Sequence, residues 1–103
     1  MERSKLKITV LKRQDPKDLF DEYPVKERDW FVPCEIYKDG QEIIVEENLA
    51  MPEGFCGSAW QTIYPNVRTL SFGGNLPFFE EKGVAISCCS DGMRPVIFKI
   101  ERI

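Results

Sequence analysis

The sequence predicts an α+β fold, an antiparallel sheet built from two β-hairpins plus an N-terminal strand, with short helices packed mainly on one face. Three observations predict it. Leu6, Ile8 and Val10 alternate with Lys5, Lys7 and Thr9 near the start of the chain, the period of a half-buried strand. Residues 34–47 and 84–103 each place apolar runs on either side of a turn signal. Between them, Cys56, Ala59, Trp60, Ile63, Val67 and Leu70 recur at helical spacing along one stripe. Strand, helix, hairpin, helix, hairpin is the order of an antiparallel sheet with helices on one side. A chain of 103 residues is sized for a single domain spanning 1–103.

The first strand is broken by Gln14-Asp15-Pro16. Asp15 as N-cap, Pro16 at the first helical position and Asp18 in the first turn make a helix start, and Pro24 limits that helix to Tyr23. Residues 24–33 form a charged loop whose Trp30 and Phe31 are expected to fold onto the body of the domain. In residues 34–47, Asp39-Gly40 supplies the positive φ of a two-residue turn. Pairing Lys38 with Gln41 then sets Ile36 opposite Ile43 and Cys34 opposite Val45, so Cys34 is expected to face the core. Pro65 interrupts the central helical stripe, predicting a kink or two short helices, and Gly73-Gly74 ends it. The first and last strands are expected to pair, since both are amphipathic in matching phase.

The final hairpin can be phased by its apolar residues. Val84, Ile86 and Cys88 share one face, and Ala85, Ser87 and Cys89 the other. Val96, Phe98 and Ile100 form the apolar face of the returning strand. A two-residue Asp91-Gly92 turn would set Ile86 against Ile97 and Val84 against Lys99. An odd-length loop, residues 91–93 or 90–94, sets Cys88 opposite Val96 and Ile86 opposite Phe98. Burial of one face selects the register and favours the odd loop. Cys88 is then a core residue, and Cys89, beside the small Ala85 and Ser87, is the thiol a reagent meets first.

Composition narrows the chemistry. There is no histidine, which excludes Ser-His and Cys-His nucleophile pairs and histidine-ligated zinc. The net charge of −3 argues against a nucleic-acid partner, whose phosphates need a basic face. Lys5, Lys7, Lys12, Arg13, Lys99 and Arg102 would line up as one basic stripe if the end strands pair, or simply as a solvated face. No apolar run spans a bilayer and no signal peptide is visible, so the expectation is a cytoplasmic protein with reduced thiols and no membrane partner.

The four cysteines lie at 34, 56, 88 and 89 without a Cys-x-x-Cys, so zinc-ribbon and thioredoxin-like signatures are absent. By phasing, Cys34, Cys56 and Cys88 converge on the interior. They are either ligands for a soft transition metal or three small core residues. Cys56 and Trp60, four apart on one helix face, are candidate ligand-binding residues. Cys89, Asp91 and Arg94 are the catalytic candidates: a guanidinium favours a thiolate, although Asp91 and Arg94 also make sense as a turn-stiffening ion pair.

Several blocks carry a family likeness. Pro33-Cys34, Gly54-Phe55-Cys56 with Ala59-Trp60, and Cys88-Cys89-Ser90-Asp91-Gly92-Met93-Arg94-Pro95-Val96 resemble a family of small bacterial and archaeal proteins that has no assigned activity. The likeness runs over nearly the whole chain, with Gly57-Ser58 departing from the family's pattern. It implies a shared site of these cysteines with Trp60, Asp91 and Arg94, and no reaction. The leading expectation is a small protein whose cysteine-lined pocket binds a metal or a small-molecule ligand. The alternative is a thiol-dependent enzyme or redox protein using Cys89 or Cys56. A further one is a homo-oligomer subunit with Trp30, Phe78 and Phe79 as contact residues.

Overall fold

In a computed structural model describing residues 2–26, 28 and 31–103, the chain forms β1 (Leu6–Arg13), α1 (Pro16–Leu19), β2 (Glu42–Val45), α2 (Gly57–Ser71), β3 (Val84–Cys88) and β4 (Val96–Arg102). The strands make one antiparallel sheet in the order β2-β1-β4-β3. This is the expected α+β architecture, with the first and last strands paired at its centre. The expected fold of Trp30 onto the body lies outside the described residues.

One face of the sheet is covered. Leu6, Ile8 and Val10 of β1 meet Val96, Phe98 and Ile100 of β4, with Val45 and Ala85 at the flanks, and all are buried. Against them α2 sets the buried Ala59, Ile63, Val67 and Leu70. The helix runs unbroken through Pro65, whose position is exposed, so the expected break into two helices does not occur. Its end is a Schellman turn. Gly73, at φ +90, donates to the Leu70 carbonyl, and Gly74 donates to that of Thr69. A side chain on Gly74 would meet Thr69 Cγ2 at 2.8 Å. Arg102 fastens this end by donating to the carbonyls of Leu70 (3.1 Å) and Gly74 and to Asn75 Oδ1 (2.6 Å).

The opposite face is open. Lys7 lies 3.3 Å from both Glu42 and Glu101, and Lys99 lies 3.4 Å from Glu101. Lys7 and Lys99 are thus interleaved with carboxylates, and Lys5 and Arg13 pair with Glu46 and Asp39, so no uniform basic stripe forms. Among these charges sit Ile44, Ile86 and Ile97.

Three further expectations are corrected. The hairpin over residues 34–47 has its turn, with Gly40 at φ +81 and Gln41 donating to Lys38, but only the second leg is a strand. That leg pairs with β1, Leu6 opposite Val45 and Ile8 opposite Ile43. The first leg lies over the core face instead, because Tyr37 fills the space between Phe55 and Phe98, its ring 5.4 Å from each. Tyr37 is consequently 3% exposed and Ile36 55%, the reverse of the alternation read from the sequence. The first helix is also shorter than expected. Asp15 caps it by accepting from the Lys17 amide at 2.9 Å, but it closes at Phe20 rather than reaching Tyr23.

The third correction is the register of the β3–β4 hairpin. Cys88 lies opposite Ile97 and Ser87 opposite Phe98, and the Cys89 amide donates to the Val96 carbonyl. The loop is therefore the even-length run of residues 90–95. One residue of slip exchanges the faces: Ala85 is fully buried and Ile86 is 42% exposed. The cause is α2, which lies directly over β3. Small side chains at Ala85, Ser87 and Cys89 admit the helix, and Asn66 of α2 donates to Ser87 Oγ at 2.7 Å. Isoleucine and valine on that face would hold it off.

Candidate functional site

The site is assembled from three segments over the covered face. The first is the leg around Cys34 and Tyr37. It is drawn down by Arg13, whose Nη1 donates to the Cys34 carbonyl at 3.0 Å, and by Arg94, whose Nη1 donates to the Val32 carbonyl at 3.2 Å. Arg13 reaches this side because β1 carries a bulge between Val10 and Lys12. The exposed Leu11 is the extra residue, and without it Arg13 would point to the open face.

The second segment is the N-terminus of α2. Cys56 is its N-cap, with extended backbone geometry and no side-chain capping bond, and the first turn holds no acidic residue. The first helical bond runs from the Trp60 amide to the Cys56 carbonyl, which leaves the amides of Gly57, Ser58 and Ala59 without acceptors among the described residues, as at any helix start without a cap. The Cys56 amide itself donates to Tyr37 Oη at 3.0 Å. The third segment is the 90–95 loop. Asp91 Oδ1 accepts from the amides of Met93 (2.9 Å) and Arg94 (3.1 Å), and Asp91 Oδ2 lies 3.5 Å from Arg94 Nε. This is the turn-stiffening pair that the sequence suggested.

Between these segments lies a cavity of about 300 Å³. Cys34, Cys56 and Cys89 line it with Tyr37, Ser58 and Ala59, and Asp91, Arg94, Ile36 and Val96 complete its wall. Cys89 Sγ accepts from the Val96 amide at 3.2 Å. A wider depression of about 820 Å³ around Phe20, Tyr23 and Val25 is open to solvent and has no thiol in its wall.

The sequence-predicted residues are thus sorted. Cys34, Cys56, Cys89, Asp91 and Arg94 come together. Cys88 does not: it is exposed on the open face, because the register slip that buries Ala85 turns it outward. The inward trio is Cys34, Cys56 and Cys89 rather than Cys34, Cys56 and Cys88, and Cys89 is the half-buried thiol of the pair. Among the described residues no three of histidine, cysteine, aspartate or glutamate are grouped so as to hold a metal ion. Trp60 stands one ring behind the wall, 5.6 Å from Phe55 and 5.6 Å from Tyr64.

Sequence reasoning missed Tyr37. Burial above all, together with the neighbouring thiols of Cys56, Cys34 and Cys89, pushes its hydroxyl up to about 12, against the Cys56 amide, which favours the phenolate. Tyr37 therefore keeps its proton at neutral pH. At Asp91, burial raises the carboxyl, but the amides of Met93 and Arg94 and the Arg94 guanidinium outweigh it and hold the group below its ordinary value. The only signal for Tyr37 was an aromatic ring between Ile36 and the turn, which the alternation set by Ile36 assigned to solvent.

Fold and site together define a small α+β protein with a thiol-lined pocket between a helix start and a hairpin loop. No protein-family model matches the chain, and no match emerges from comparison with curated proteins or with solved structures. No helix among the described residues is long and apolar enough to cross a membrane.

Proposed function

We propose that this protein binds a small organic ligand in the cavity between the start of α2, the Tyr37 leg and the 90–95 loop, with thiols in direct contact with it. The observation that carries the reading is the convergence of Cys34, Cys56 and Cys89, from three separate segments, on one cavity of about 300 Å³. That volume is at the small end of the range of ligand sites. The blocks by which the chain resembles the bacterial and archaeal family contain all three thiols. A soft metal would use the same sulfurs, but the thiols are not grouped as a ligand set, so a small molecule is the better fit.

A second reading is thiol chemistry at Cys56, favoured by its N-cap position on a 15-residue helix.

Elemental analysis of the purified, untagged protein, followed by N-ethylmaleimide labelling with and without candidate ligands, separates these readings. Ligand binding predicts no stoichiometric metal and protection of Cys34, Cys56 and Cys89 by a bound compound, with Cys88 unaffected. Stoichiometric metal would overturn the small-molecule reading. Cys56 reacting much faster than the exposed Cys88 would establish the second reading instead.

A further inference from the structure

The polar groups of the cavity say which kind of small molecule it takes; this step rests on the reading of the cavity as a ligand site. Tyr37 is 97% removed from solvent, as its 3% exposure gives, and its oxygen accepts from the Cys56 amide. Among the described residues the hydroxyl proton has no acceptor. A buried hydroxyl of this kind usually finds one, and Tyr37 lines the cavity, so its proton is available to a ligand there. Ser58 and Ala59 line the same cavity, and their amides, in the first turn of α2, are also without acceptors among the described residues. Three donors therefore surround one space, at the positive end of a helix dipole.

The charge of the wall limits what they receive. Asp91 and Arg94 are paired with each other, which leaves the lining close to neutral. A singly charged oxyanion is accommodated there more readily than a dianion, which the Asp91 carboxylate would repel. The rest of the wall, Ile36, Val96 and the three thiols, suits a short apolar body.

We propose that the cavity binds a small monocarboxylate, its oxygens accepting from the Tyr37 hydroxyl and from the amides of Ser58 and Ala59, and its apolar body against the thiols.

Isothermal titration of the full chain with butyrate, with the neutral isostere butyramide and with inorganic phosphate tests this. Butyrate should bind roughly 10-fold or more tighter than butyramide, because a hydrogen bond to a charged acceptor exceeds one to a neutral acceptor by about that factor. Tyr37→Phe should weaken butyrate by a similar factor. Since that variant also strips the Cys56 amide of its acceptor, Cys56→Asp serves as the second test. A carboxylate placed at the N-cap accepts from the same first-turn amides. It should raise the melting temperature while abolishing butyrate binding. Equal binding of butyrate and butyramide, or undiminished butyrate binding to Cys56→Asp, would overturn the carboxylate inference and leave the ligand site standing. Phosphate binding without butyrate binding would overturn the inference in the same way. If neither organic probe binds, and neither slows maleimide at Cys34, Cys56 or Cys89, the inference and the site reading both fail.

Discussion

Cys88 and Cys89 are adjacent in the chain and belong to different environments. Cys88 stands among the charges and isoleucines of the open sheet face; Cys89 lies beneath the helix-covered side, in the wall of the cavity. The same division runs along β4, where Phe98 is buried in the core and its neighbours Ile97 and Lys99 are not. What separates the two faces is α2. Wherever it lies, apolar contact and backbone hydrogen bonds hold the structure, and its N-terminus forms one wall of the cavity. Where it is absent, screened surface ion pairs contribute little each.

The largest expected contrast is in the core. Phe98→Ala, which removes a fully buried ring packed on Tyr37 and Phe55, should cost about 3–5 kcal/mol. Ile97→Ala, one residue away on the open face, should cost about 1 kcal/mol or less. Urea denaturation of both variants measures the difference, and equal costs would mean that the open face is covered in solution.

A second contrast, again between residues of β4, concerns polar groups. Arg102→Ala deprives the end of α2 of its donors to Leu70, Gly74 and Asn75 and should cost about 2 kcal/mol, in the range of hydrogen bonds from charged groups. Lys99→Ala removes one exposed ion pair and should cost about 0–1 kcal/mol. Thermal unfolding ranks them, and high salt should narrow the Lys99 effect but not the Arg102 effect.

The smallest expected effect is a pH dependence of the open face. Burial raises the Glu101 carboxyl, but hydrogen bonding and charge from Lys7 and Lys99 outweigh it and hold the group below its ordinary value. Its contribution is therefore complete above the ordinary glutamate range and is lost as the pH falls through the depressed value. Glu101→Gln should flatten that part of the acid limb of the stability profile and change little at neutral pH. An unchanged acid limb would show that the ion pairs of Glu101 with Lys7 and Lys99 make no contribution.

Much of this was legible in the sequence, for identifiable reasons. The β1–β4 pairing and the buried stripe of α2 could be read because large apolar residues mark one face of each. The phase of β3 could not. Val84 and Ile86 are the more apolar alternate positions, yet the selecting force is the approach of a helix, which needs Ala85 and Ser87 beneath it. Tyr37 was hidden for a related reason: a leg that alternates like a strand pairs with nothing and instead inserts one ring into the core. Cys34 reaches the cavity, but not through the expected pairing with Val45, which faces Leu6 instead; Asp91 and Arg94 do meet at the turn. The site's third sulfur was misassigned by the one-residue slip that misplaced Ala85.

The sheet has one open face and one face covered by α2, and the cysteine pair, with one thiol on each, reports on that division directly. Native protein is pulsed with N-ethylmaleimide and the modified residues are assigned by mass spectrometry of peptides. Cys88 should be modified first, with Cys34, Cys56 and Cys89 following more slowly. Modification of Cys89 ahead of Cys88, or a Cys88 that reacts only on unfolding, would contradict it.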